Sequence, residues 1–284
     1  MRTPNRRHVL AALGAAALTA RTARARPLDE VIERNRLRVA VYRDFHPFSY
    51  REGGVLKGID VDLAQAIAER LHVKADLFEQ TAGETVADDL RVAIWRGSLF
   101  GGEMADLMMH IPFDKEFGLK NPEAVLFSPY QRELFALVRN PERVPSATLQ
   151  DLPEEPIGVE IDTIPDFYLL GDGGGRLRPH VVHFPAPKDA VEALTRNEVA
   201  AVLAPRSQIE AALAGTGTGA GLPITTVRLP GMMASSWDIG MATRENARDL
   251  TYAVGDAVTA MLEDGTMAAI FRRYGVTHTP IPVE

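Results

Sequence analysis

The stretch LRVAVYRDFHPFSYREGGVLKGIDVDLAQAIAERL, Leu37 to Leu71, decides the fold. Leu37 to Tyr42 alternates apolar and polar residues as a strand does, and the alternation breaks at His46-Pro47. Gly53-Gly54 makes a turn. After Gly58, residues Leu63, Ile67 and Leu71, with Ala64 and Ala68, recur on one helical face. Asp60 and Asp62 fall at the start of that helix, where carboxylates suit the macrodipole. Strand, loop, helix is the unit from which alternating α/β domains are assembled.

Outward from this unit the same alternation continues. A strand is expected at Lys74 to Glu79, a helix around Asp88 to Arg96, and a short buried strand at Ala105 to Met109 that ends at His110. Phe127-Ser128-Pro129-Tyr130 and a strand at Leu134 to Val138 follow, and Asn140-Pro141 and Pro145 then punctuate the chain. A second series begins at Ile157 to Glu160, with a helix after Thr163, a glycine loop at Gly171 to Gly175 and a strand at Val181 to Phe184. It runs on through a helix at Lys188 to Arg196, a strand at Ala200 to Leu203 and a helix at Ser207 to Ala214. Gly215 to Gly221 reads as a surface loop, since no GK[ST] follows it to make a phosphate cradle. A return strand, Ile239 to Ala242, and helices Ala247 to Glu263 and Thr266 to Tyr274 close the chain. Two such series around a central break predict two lobes with parallel sheets.

The first residues bear on compartment. Arg2, Arg6 and Arg7 precede an apolar run, Val9 to Ala20, and Ala23-Arg24-Ala25 closes it as a cleavage site would. Residues 1–25 are therefore expected to be an export signal, with Arg6-Arg7 fitting the twin-arginine type. The run is too short for a membrane helix, and the mature chain is expected in the periplasm. Removing the signal's five arginines takes the formal charge from −7 to −12, which argues against nucleic acid and anionic lipid as partners. The chain has no cysteine, so no disulfide, thiol nucleophile or thiolate metal site is available.

Three segments in order carry a family resemblance: Leu37 to Leu71, with its G-x-D-x-D-L helix start, Phe127 to Tyr130 (FSPY), and Trp237 to Gly275 (WDIGMATRENARDLTYAVGDAVTAMLEDGTMAAIFRRYG). Together they resemble the bacterial extracellular solute-binding proteins of family 3. The resemblance implies a type II periplasmic binding protein fold, α/β and two-lobed, hinged by two crossover segments. Lobe 1 would comprise 36–132 plus 238–284 and lobe 2 138–232. A small-molecule ligand would sit between them for delivery to an ABC permease, and the protein would act as a monomer. The family's aromatic loop matches Phe45, Phe48 and Tyr50 here, and of these Phe45 and Tyr50 are carried over as ligand contacts.

Departures from the family pattern shape the rest of the expectation. The arginine that members use for an amino-acid carboxylate is missing from HIPFDKEFGLKNPEAVLFSPY, leaving Lys115 or Lys120 as point donors. The aspartate that would take the ammonium is replaced around Ala204-Pro205, with Arg206 beside them. Asp162 stands where a glycine is usual, and Thr163 keeps a hydroxyl near the helix start. The expected ligand set is thus Phe45, Tyr50, His110, Lys115, Thr163 and Arg206, with no cofactor and no metal. His180 and His183 fall on opposite faces of a strand, which disfavours joint metal ligation.

No G-x-S-x-G elbow or H-E-x-x-H helix occurs, so catalysis is not expected, although a few relatives of this fold are cyclic-acid dehydratases. An alternative follows from ADDLRVAIWRG…ADLMMHIPFDKEF, which resembles the binding-protein-like accessory factors of PQQ-dependent methanol and alcohol dehydrogenases. That reading makes a periplasmic quinoprotein dehydrogenase the partner, with Met232, Met233, Trp95 and Trp237 as candidate patch residues against a simpler role in hinge and core packing.

Overall fold

The computed structural model describes residues 28–98, 101–171, 174–217, 221–232 and 235–281. The proposed export signal, Met233 and parts of the two glycine loops lie outside the described residues. Lobe 1 opens with α1 (Leu28–Glu33), β1 (Arg36–Tyr42), the hairpin β2 (Tyr50–Glu52) and β3 (Val55–Lys57), and α2 (Ile59–Arg70). It continues through β4 (Lys74–Gln80), α3 (Val86–Leu90), β5 (Leu107–Pro112) and α4 (Lys115–Lys120). α3 runs on as a π-helical turn, Arg91–Trp95. Lobe 2 holds β7 (Ile157–Glu160), α5 (Ile164–Gly171), β8 (Val181–Phe184), α6 (Pro187–Thr195), β9 (Ala201–Pro205), α7 (Arg206–Thr216) and β10 (Ile224–Thr226). Between them passes β6 (Ala124–Arg139), and the chain returns through β11 (Ser236–Arg244), α8 (Arg248–Glu263) and α9 (Thr266–Arg273).

The expected strand-and-helix alternation is present, but the sheets are mixed and not purely parallel. β1 pairs in parallel with β4 and β5, and β7 with β8 and β9. The crossover strands are antiparallel to both sets: β11 to β5 and β6, and β6 to β9. The strand order is β4-β1-β5-β11-β6-β9-β7-β8, with β10 also on β6. β6 belongs to both halves. Its 16 residues join FSPY and the expected strand Leu134 to Val138 into one element. Pro129 is tolerated inside it because β6 shifts register against β11 between Met241 and Ile239, and a bulge frees the ladder position that a proline cannot fill.

Each half-sheet is covered on both faces, which gives four apolar clusters. In lobe 1, Leu63, Ile67, Leu250, Val254 and Phe271 pack from α2, α8 and α9 on one side, with Leu90, Ile94 and Met108 on the other. Each such buried side chain contributes about 1.5–3 kcal/mol. In lobe 2, Leu169 and Tyr168 of α5 lie on one side, and Ala190, Leu194 and Ile209 of α6 and α7 on the other. Ala211 of α7 reaches into the lobe 1 cluster, so that helix ties the lobes together. Trp95 packs against the lobe 1 core and Met232 against the lobe 2 core, which favours the core-packing reading of those two residues. No helix among the described residues is long and apolar enough to cross a membrane.

Candidate functional site

A cleft of about 820 Å³ opens between the lobes. Lobe 1 contributes the carboxyl end of β1 and its loop, the 82–86 loop and His110; lobe 2 contributes Glu160, residues 162–165, Pro205 and Gln208; the crossover strands supply Glu133, Phe135 and Trp237. Parallel strands aim their carboxyl ends and following loops at such a crevice. Phe135 and Trp237 face each other across β6 and β11 with ring centroids 5.0 Å apart.

His110 is set by a bulge. β5 uses three residue steps from Met108 to Ile111 where β11 uses two from Ala242 to Gly240, so one residue of β5 is in excess. His110 takes φ 61° at that point and does not end the strand as expected; β5 continues to Pro112. The imidazole turns into the cleft and sits edge-on to Phe45 (4.7 Å) and Phe48 (4.2 Å), which stack on each other at 5.3 Å. Asp60, fully buried in the first turn of α2, holds its Nδ1 at 3.1 Å and accepts the Tyr130 hydroxyl at 2.7 Å. Burial beside the Asp60 carboxylate pushes the Tyr130 phenol well above its ordinary range. In the neutral tautomer whose Nδ1 donates to Asp60, Nε2 is an acceptor.

Glu133 is the second centre. It is 2 % exposed, yet it lines the cleft. One oxygen accepts from the backbone N–H of Leu134 (3.0 Å) and Ser207 (3.3 Å), and the other accepts the Ser207 hydroxyl. Burial raises its carboxyl pKa, and the hydrogen bonds only partly offset that. Glu160 is likewise raised by burial. Asp89 accepts the Tyr42 hydroxyl at 2.9 Å and the Gly83 N–H at 2.8 Å. Asp44 and Asp162 line the same cleft with φ values of 54° and 60°, so with His110 three non-glycine residues of this wall hold left-handed backbone. Such conformations cost about 1–3 kcal/mol each and cluster at ligand sites. Arg43 is the only lysine or arginine among the described lining residues.

Of the six expected ligand residues, the cleft brings together Phe45, His110 and Thr163. Thr163 has its hydroxyl committed to the Glu160 carbonyl at 2.7 Å. The other three do not line this cleft. Tyr50 opens the β2–β3 hairpin and lines a different cavity from Phe48. Lys115 is exposed on α4, away from the cleft. Arg206 turns along α7 and pairs with Glu210 at 2.6 Å. The reading missed Glu133, whose burial depends on Ser207 from 74 positions away, and Asp60, which looked like a helix-dipole acid. His183 is paired with Asp166 at 2.9 Å, and His180 stands 3.9 Å from Glu154.

Comparison with known proteins places this geometry. Residues 37–91 match the profile of the bacterial extracellular solute-binding proteins, family 3. A cyclohexadienyl dehydratase of Pseudomonas aeruginosa is 48% identical over 66 residues, which is 23% of this chain and 24% of that protein, so the chain spans about a quarter of the curated relative it matches. Among solved structures, an ancestral cationic amino acid solute-binding protein superposes with a TM-score of 0.66 at 20% identity, covering 87% of this chain and 99% of the other. An amino acid ABC transporter substrate-binding protein from Streptococcus pneumoniae, bound to L-arginine, does so with a TM-score of 0.59 at 22% identity, covering 89% and 99%. Residues 37–91 are thus similar to the family 3 bacterial extracellular solute-binding proteins, and the described chain has the two-lobed fold of the periplasmic binding proteins on which it superposes.

Proposed function

We propose that this protein captures a small organic cation in the interlobe cleft and delivers it, in the periplasm, to an ABC permease. The observation that carries the reading is the chemistry of the wall: Asp44, Asp89, Glu133, Glu160 and Asp162 face one cavity in which Arg43 is the sole lysine or arginine among the described residues. An ammonium or guanidinium entering there favours the ionised form of the raised carboxyls and offsets the desolvation that burial imposed. The Phe45–Phe48 stack and the Phe135–Trp237 pair offer ring faces for the ligand's planar or apolar part, a contact worth about 0.5–2 kcal/mol for a cation. Relatives of the same fold described as binding cationic amino acids and L-arginine support the cationic class. Arg43 is then the candidate partner for any ligand carboxylate.

Calorimetric titration with arginine, lysine, putrescine and glutamate at neutral pH tests the reading. Saturable binding of one or more of the cations, weakened about tenfold in Phe45→Ala, is expected. Glutamate binding more tightly than every cation would reject it.

A second reading, a lyase, is favoured by the match to the dehydratase and by one pair of side chains. His110, backed by Asp60, presents an acceptor nitrogen, while Glu133 is a carboxyl held toward its protonated form, an arrangement fit for general base and general acid. Incubation with a hydroxylated cyclohexadiene carboxylate, followed by the ultraviolet absorbance of an aromatic product, decides it: turnover lost in Glu133→Gln establishes the enzyme. The accessory-factor reading rests on segments that form α3, its π-helical turn, β5 and α4, which here build the wall and core of lobe 1. The comparisons add no support to it.

A further inference from the structure

A second cavity, of about 760 Å³, lies on the other side of the 44–50 loop and shares no lining residue with the cleft. The loop is the partition: Phe45 and Phe48 face the cleft, His46 and Tyr50 the second cavity. Its lobe 1 wall is the β2–β3 hairpin and the end of α9, and its lobe 2 wall is α6 and α7. The charge there is opposite to that of the cleft. Lys57 and Arg273 come from lobe 1, Lys188 and Arg196 from lobe 2, against Glu52 and Glu192. Glu52 is bonded to Lys57, while Glu192 stands 3.9 Å from both Lys188 and Arg196, too far for a hydrogen bond. Arg196 and Arg273 also reach Glu198 and Asp62. His46 reports the resulting field: burial, then the positive charge of Lys188, brings its pKa down to about 4, so it is neutral at pH 7.

We propose that this cavity is an anion site bridging the lobes, which takes a small dianion between Lys57 and Lys188 with Tyr50 and His46 as neutral donors. Lys188 of lobe 2 stands 3.9 Å from the Glu192 carboxylate, and a dianion bridging it to Lys57 of lobe 1 would add one attraction from each lobe. The lobes already touch beside it, where the Thr277 N–H donates to Glu210 at 2.6 Å and α7 packs Ala211 into the lobe 1 core. A dianion seated next to that contact fixes the opening angle, so that its binding is coupled to that of the cleft ligand.

Phosphate and succinate share the required charge, and titrating each separately into the whole chain at constant ionic strength, set with chloride, distinguishes an inorganic from a dicarboxylate ligand. One-site saturable binding of at least one is expected, weakened about tenfold in Lys188→Met and in Lys57→Met, retained in Lys188→Arg, and retained in Glu133→Gln, which alters only the cleft. Both lysines are on the surface, so circular dichroism and thermal melting should stay at wild-type values in these variants. Absence of saturable binding for both dianions, or binding unchanged in the Lys57→Met/Lys188→Met double variant, overturns the proposal without touching the cleft reading.

Discussion

On the proposed reading, Glu133 is a carboxyl kept for ligand binding at the expense of stability. Its folded pKa is raised by burial, so the folded chain holds a proton over a pH range in which the unfolded chain has lost it. The stability it contributes is therefore complete below the ordinary carboxylate range and is lost as pH rises through the raised value. At neutral pH the group destabilises the apo protein, and Glu133→Gln, which keeps an acceptor for Ser207, should raise Tm by about 2–4 °C, with the difference vanishing below about pH 4. The same variant should lose at least about tenfold in cation affinity; gaining neither stability nor losing affinity would remove Glu133 from the site. Asp60 is the opposite case, because it is fully buried and satisfied by two partners, His110 and Tyr130. Asp60→Ala leaves both without their acceptor and should cost about 2–4 kcal/mol in urea unfolding. A cost under about 1 kcal/mol would show that the pair is not structural.

At the scale of elements, the 37–71 unit was legible because periodicity alone distinguishes a strand from a helix, and the observed β1 and α2 lie where the spacing places them. Bulges were not legible. Met108-Met109 reads as any buried strand, and only the partner β11 reveals the extra residue that turns His110 into the cleft. The separation of Tyr50 from Phe45 and Phe48 was not legible for a related reason: three aromatics in one loop share a composition signal, while the hairpin that carries Tyr50 is a matter of pairing. Glu133 ends the polar run Gln131-Arg132-Glu133, as a surface residue could, and its burial comes from the start of α7. One glycine makes the aromatic loop possible. Gly58 has φ 135°, and a Cβ there would stand 2.2 Å from the Phe48 carbonyl oxygen. Gly58→Ala must displace the backbone that carries Phe45 and Phe48, so a loss of more than about 3 kcal/mol, or failure to fold, is expected. A stable Gly58→Ala protein with unchanged cation binding would mean that this loop is free to move.

For the whole molecule, two strands and one helix connect lobes that otherwise have separate cores, and this is the architecture expected to bend about a hinge. Charge divides along the same line: the cleft side collects acids, and the other cavity collects lysine and arginine, although the sequence shows only a net excess of acids. That segregation could not be read from spacing, because it depends on which residues the two lobes bring opposite each other. Where the lobes meet, Gly275 takes φ 72°, and a Cβ added there would lie 2.3 Å from the Cβ of Ala214 on α7. Gly275→Ala therefore carries two separable costs: about 1–2 kcal/mol for a left-handed alanine, and an added term for driving α7 away from lobe 1. Only the second term changes the angle between the lobes. Cation affinity should fall in Gly275→Ala and recover in Gly275→Ala/Ala214→Gly, whereas the thermal stability of the double variant should stay below wild type by the backbone term plus about 0.5–1 kcal/mol for a glycine within α7. Small-angle scattering with saturating cation gives the matching readout: wild type and the double variant should contract on binding, and Gly275→Ala should contract less. If Gly275→Ala closed and bound as well as wild type, the Ala214–Gly275 contact would have no part in setting the opening, and the hinge would have to be sought in β6 and β11 alone.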